Sequence, residues 1–366
     1  MNKLMTTRRA ALRALMADKN LTHILVLTPG MGNLDCWLFA GTQLPTPAPF
    51  NRNSAFLIPA EGEIMRLCQT TTHPTDRVRY PRFEDAGLDG VLENAVIGVV
   101  HLESMKKTVR DYLAKTNARL KDITAAFETI KAEKSPAEAE LLRKAAAEYD
   151  RLFTAMPLML RPERLEKEVV TEIRQRLGWQ GAESETPGFH SMVELTSALD
   201  GGASAQEPML WPGRRLQAGD RVNVTVRGYI CGVSATLGRS FVLGPPSEET
   251  RRYWNLALEA QTLAVSLAKP GATLGQIAEK VNGFLMEKGL PADESGWIHG
   301  LGTSVYEAPR NIDASRDLPL RTGMVLSIGP AVRPQGKDAF RCVDAFVVTE
   351  IGTVRLSATE QALRQL

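Results

Sequence analysis

The chain has 366 residues, enough for about two domains at a typical ~150 residues each. Hydrophobic residues make up 43% and charged residues 23%, a balance that excludes a disordered or fibrous chain. Lys and Arg number 44 against 42 Asp and Glu, so the net charge of +2 gives no reason to expect nucleic acid or an anionic membrane as partner.

No apolar run approaches the ~20 residues that cross a bilayer. Cys36, Cys68, Cys231 and Cys342 are scattered, and no CxxC pair points to zinc or redox chemistry. They read as reduced thiols in a cytoplasmic protein. The first 16 residues carry Lys3, Arg8, Arg9 and Arg13 and no acid, yet Leu4, Ala11, Leu12 and Leu15 fit one helical face. No apolar signal core follows, so an ordinary first helix is expected.

His23–Thr28 (HILVLT) reads as a buried strand broken by Pro29-Gly30. Ser54–Pro59 and Glu63–Gln69 read as a strand pair, and Ala95–Val100 as another strand. Glu103–Asn117 has a helical pattern, and Gly41–Asn53 reads as an exposed loop. Ser135-Pro136-Ala137-Glu138 then supplies the parts of a capping box, and the spacing predicts a helix from there through Phe153. A second helix is expected after Pro162, ending near Leu177 at Gly178. Val222–Gly228, Gly232–Val242, Met324–Pro330 and Ala345–Thr349 read as strands. Between them Glu248–Leu267 and Leu274–Lys288 read as helices, so a helix–Pro–helix arrangement recurs and a duplicated αβ half is one explanation. The expected domains are 1–131 and 132–366.

Several segments together resemble the creatinase/prolidase/aminopeptidase P family. Lys134–Glu138 with Leu142–Ala145 resembles its domain start. Leu216–Asp220 (LQAGD) and Gly232–Gly244 (GVSATLGRSFVLG) resemble its central hairpin. His299–Pro309 (HGLGTSVYEAP) resembles its glycine-rich histidine motif, and Gly323–Val325 with Arg341–Glu350 (RCVDAFVVTE) its last two strands. The matches keep their order over residues 134–350. The resemblance implies an α/β (α+β) fold: an N-terminal creatinase-like domain, then a pita-bread domain of two pseudo-symmetric αβ halves around a curved, mainly antiparallel sheet. It also implies a pocket in the concave face, a homodimer, and in most members a peptidase with two divalent metals held by two aspartates, a histidine and two glutamates.

Carried over residue by residue, that ligand set is mostly missing. The two hairpin aspartates fall on Thr225 and Thr236, and the two glutamates on Gly329 and Val343; only the histidine is kept, as His299. Glycine and valine offer no side-chain donor, a threonine hydroxyl is a weak neutral ligand, and a catalytic zinc wants about three protein ligands. Leaving a doubly charged ion against Val343 would cost many kcal/mol. The sequence therefore predicts no metal and no other cofactor. Met209 and Tyr306 stand where the peptidases have further histidines. Metal-free creatinase chemistry also fails: its general-base histidine falls on Met209, and its two glutamates on Gly238 and Gly329.

His299 reads either as an acid–base or hydrogen-bond donor, or as a backbone-tethered ring that fills space. Tyr306 and Glu307 join it as catalytic candidates, with packing and an arginine pairing as the plainer readings. Met209, Thr225, Thr236, Gly238, Gly329, Arg341 and Val343 are expected to line the ligand pocket. Arg239 and Arg341 can anchor an anion, though pairing with Asp344 or another acid is the commoner fate. Cys231 and Cys342 lie near the site without an evident activating histidine. His190, Trp211 and Trp297 are possible rim residues.

The favoured reading is a degenerate, metal-free family member binding a small molecule or short peptide. The alternatives are a metal-independent hydrolase or lyase of a C–N or related bond using His299, and a protein-interaction scaffold.

Overall fold

The computed structural model describes residues 3–27, 55–62, 64–68, 78–79, 87–179, 192–199, 214–230 and 233–366. The loop expected over Gly41–Asn53 lies outside them, as do Met209, His190, Trp211 and Cys231. Two compact units form, one built on Met1–Lys131 and one on residues from Ala132 onward.

The first unit holds a six-stranded sheet: β1 (His23–Leu27), β2 (Ala55–Pro59), β3 (Met65–Cys68), β4 (Val78–Arg79), β5 (Val96–Val100) and β6 (Arg119–Asp122), in the order β4-β3-β2-β1-β5-β6. The pair expected from sequence is β2–β3, antiparallel, with Ala55 opposite Leu67. The opening helix runs Lys3–Asp18 and buries Leu12 and Met16. The helix expected over Glu103–Asn117 is shorter, Lys107–Lys115, preceded by a single 3₁₀ turn. His101 in the left-handed region (φ 60°) and extended Met105 break the chain on either side of that turn.

The second unit is two halves, each a helix pair on a sheet. In the first half, β7 (Met192–Leu199), β8 (Asp220–Ile230) and β9 (Val233–Val242) form an antiparallel meander. Helices Pro136–Thr154 and Glu166–Trp179 cover it, and Leu142, Tyr149, Phe153 and Ile173 pack with Val222, Val224, Val226 and Leu237. The capping box forms as the sequence requires: Ser135 Oγ accepts from Glu138 N, and Glu138 Oε2 accepts from Ser135 N at 2.8 Å. The second helix begins at Glu166 because Glu163 takes a positive φ of 70° and Leu165 bridges to Arg215. It continues through Gly178 to Trp179, two residues beyond the expected end at Leu177.

In the second half lie β10 (Ile298–Gly300), β11 (Glu307–Arg310), β12 (Val325–Ile328), β13 (Ala331–Val332), β14 (Phe340–Arg341), β15 (Asp344–Thr349) and β16 (Gly352–Arg355). Strands β11-β10-β12-β15-β16 make one sheet and β13-β14 a separate ribbon. Helices Glu248–Leu267 and Leu274–Glu287 cover the larger sheet, and Trp254, Ile277 and Val281 pack with Leu326, Ile328 and Phe346. The C-terminal β17 (Arg364–Gln365) returns to the first half, parallel to β9. An isolated bridge between Gly238 and Val343 (N–O 3.0 and 3.1 Å) ties the two sheets together.

Candidate functional site

That bridge lies at the middle of the site. Side chains alternate along a strand, and β8 pairs with β9 so that Thr225 faces Gly238 and Arg227 faces Thr236. Thr225, Arg227, Thr236 and Gly238 therefore share one face of the sheet. Glu194, opposite Thr225 on β7, joins them and forms an ion pair with Arg227.

The second sheet meets this face through Val343. A Cβ placed on Gly238 would stand 2.9 Å from both Thr225 Oγ1 and Val343 Cγ2. One placed on Gly329 would stand 2.6 Å from the same Val343 methyl. Thr225, Gly238, Gly329 and Val343 thus form one packed cluster. Thr236 is buried, and its hydroxyl has no hydrogen-bond partner among the described residues.

His299, on β10, is 2% exposed. Its Nδ1 lies 3.0 Å from the Gly300 carbonyl. A carbonyl only accepts, so Nδ1 carries the ring proton and Nε2 the lone pair. Burial, helped by the charges of Arg227, Arg310 and Arg341 and opposed by that carbonyl, lowers its pKa to about 4. The ring is neutral near pH 7. Tyr306 leans against it, with ring centroids 4.4 Å apart, and is itself partly exposed.

Glu307 lies differently from its neighbours in the motif. It is 1% exposed, and its Oε2 sits 2.5 Å from Lys134 Nζ. Its Oε1 accepts from Thr303 Oγ1 at 2.9 Å and from Ser304 N at 3.1 Å. Gly302 has to be a glycine here: a Cβ would stand 2.5 Å from Glu307 Oε2 and 2.6 Å from Lys134 Cε. The carboxylate works as a clasp, its partner a lysine rather than an arginine.

Arg239 is fully committed as well. Its guanidinium meets Asp344 Oδ1 at 2.7 Å, both side chains 0% exposed, and the carbonyls of Gly238, Val343, Thr359 and Glu360. Arg341 reaches Ser295 Oγ at 3.2 Å and lies 3.8 Å from Asp293. Cys342 is buried and its thiol is pushed up in pKa, first by burial and then by Asp344, so no thiolate forms there. Trp297 is buried, its indole N–H on the Asp293 carbonyl.

Residues 140–350 match the profile of metallopeptidase family M24. The chain belongs to that family. A probable dipeptidase PepE of Mycobacterium tuberculosis is 28% identical to this M24 protein over 96% of its chain and 94% of the relative. An Xaa-Pro dipeptidase of Pyrococcus furiosus is 27% identical over 78% and 80% of the two chains. Among solved structures, X-Pro aminopeptidase from Thermotoga maritima superposes with a TM-score of 0.82 at 21% identity, covering 98% of this chain and 99% of that one. These neighbours have the prolidase/aminopeptidase P pita-bread fold, as the resemblance implied. The M24 protein has no described helix long and apolar enough to cross a membrane.

The sequence reading passed over Lys134, Glu194 and Arg227 as site residues of this M24 protein. Arg227 was legible: it is two residues from Thr225, so it lies on the polar face of a strand whose other face is Val222, Val224 and Val226.

Proposed function

We propose that this M24 protein has lost the dinuclear metal centre and binds a small peptide or amino-acid-derived ligand in the concave face. The observation that carries this is the Val343 side chain. Its methyl occupies the space into which carboxylates at 329 or 238 would project. The residues present do not fit a metal pair: Thr225, Thr236, Gly329 and Val343 supply no anionic oxygen. Among the described residues no group of three or more His, Cys, Asp or Glu side chains is placed to hold an ion. The fold and the likeness to a probable dipeptidase and an Xaa-Pro dipeptidase favour a peptide-like ligand.

The test is metal analysis after incubation with Mn²⁺ and Zn²⁺, together with thermal-shift titration against dipeptides. Substoichiometric metal and a dipeptide-dependent rise in Tm are expected. Two bound metals per chain would refute the proposal.

A metal-independent hydrolase or lyase is the second reading, and the state of His299 favours it. A ring neutral near pH 7, tethered at Nδ1 with its lone pair on Nε2, is in the form that accepts a proton. Turnover of a C–N substrate that survives chelation and disappears in His299→Ala would establish it. We further take the protein to be a cytoplasmic homodimer, which light scattering in solution tests for the assembly state.

A further inference from the structure

The walls of a metal centre are ordinarily anionic, and here they are cationic. Arg227, Arg310 and Arg341 all act electrostatically on His299, and Arg227 and Arg333 both act on Arg341. The carboxylates facing them are Glu194 on Arg227, Asp313 on Arg310, and Asp293 between Arg333 and Arg341 at 3.9 and 3.8 Å. Four guanidiniums thus meet three carboxylates among the described residues. Asp293 is further occupied by the backbone N–H groups of Ala331 and Ser295.

Among the described residues, three hydrogen-bond donors in this group are buried and without partners: Arg227 Nε, Arg341 Nε and the Thr236 hydroxyl. Arg227 is 6% and Thr236 3% exposed, and they are cross-strand partners on the face that carries Thr225 and Gly238. Buried donors left unpaired are costly. A bound acceptor would relieve all three, and an anion would also balance the excess charge.

We infer that the cleft holds an oxyanion where its relatives' fold would hold cations, namely the carboxylate of a small amino-acid-derived ligand, received by Arg227, Arg341 and Thr236. The inference rests on the metal-free reading above and names the chemical class of its ligand. A carboxylate matches it because its planar pair of oxygens suits guanidinium donors, with a hydroxyl as a further donor. Thr236 acts as a selective donor, and Glu194 positions Arg227.

Isothermal titration of the full chain with N-acetylglycine, N-acetylglycinamide and inorganic phosphate tests it. The acid is expected to bind at least ~10-fold more tightly than the amide, as losing a charge-assisted contact implies. Arg227→Gln is expected to weaken the acid by a similar ~10-fold. Because that change leaves Glu194 unpaired, the near-isosteric Thr236→Val serves as the second variant. It should weaken the acid by ~3–10-fold while leaving the unliganded protein as stable as before or more so. Equal binding of acid and amide, tighter binding of phosphate than of the acid, no binding of any probe, or unchanged affinity in both variants overturns the inference. The failures separate cleanly: two bound metals sink the metal-free reading itself, whereas a metal-free protein that takes acid and amide alike loses only the carboxylate assignment.

Discussion

Lys134 Nζ lies 2.5 Å from Glu307 Oε2, a contact between residues 173 positions apart whose side chains are 3% and 1% exposed. It pins the segment leading into helix Pro136–Thr154 against the glycine-rich histidine motif. That motif also carries His299, so the pair helps hold the segment that bears it. Two charges taken out of water at this depth are tolerated because Thr303 and the Ser304 N–H complete the carboxylate's hydrogen bonds.

Removing one partner should therefore hurt more than removing both. Lys134→Met is expected to destabilise the protein by about 3–5 kcal/mol, because a buried carboxylate is left uncompensated. Lys134→Met with Glu307→Gln should recover much of that loss. Urea denaturation of the two single variants and the double variant measures the coupling.

The packed cluster of Thr225, Gly238, Gly329 and Val343 makes a steric prediction. Gly329→Ala places a methyl 2.6 Å from Val343 Cγ2 and should cost about 1–3 kcal/mol by overpacking. Val343→Ala on the same chain removes the offending methyl and should return part of the stability. The recovery stays partial, because the Cys342 carbonyl would still lie 3.1 Å away. A double-mutant cycle by denaturant titration reads the interaction directly.

Helix Glu248–Leu267 matched its expected bounds, because an N-cap serine and a long apolar period are local signals. The capping box at Ser135 was legible for the same reason. Strand β7 was overlooked although Val193 and Leu195 alternate with Glu194 and Thr196 as a half-buried strand should. Strands β10 and β11 have three and four residues, too few for any period to show. At the site, the resemblance placed Thr225, Gly238, Gly329 and Val343, but their mutual packing depends on a bridge between two sheets. Glu307 was expected to be a pocket carboxylate or the partner of an arginine; its pairing with Lys134 is a long-range event that no local pattern encodes.

Arg239 serves one carboxylate and four carbonyls from a fully buried position, two of the carbonyls, Thr359 and Glu360, belonging to the C-terminal segment. Arg239→Lys keeps the charge but offers three donors and no planar fork. It is expected to cost about 2 kcal/mol or more through acceptors left unpaired. Amide exchange should rise over residues 356–366 well beyond any change in the first unit.

His299 sets the last expectation, a dependence of stability on pH. Its pKa falls from the usual 6.5 to about 4 on folding, so between those values the unfolded chain binds more protons than the folded one. Stability from this group is fully present above about pH 6.5 and is lost as the pH falls toward about 4. The loss amounts to about 3 kcal/mol by linkage. His299→Gln has no such proton to take up, so its stability should decline less than that of the parent chain between about pH 7 and about pH 4.5. Paired urea titrations across that range give the comparison, and identical slopes for both proteins would mean that the imidazole does not resist protonation in the fold.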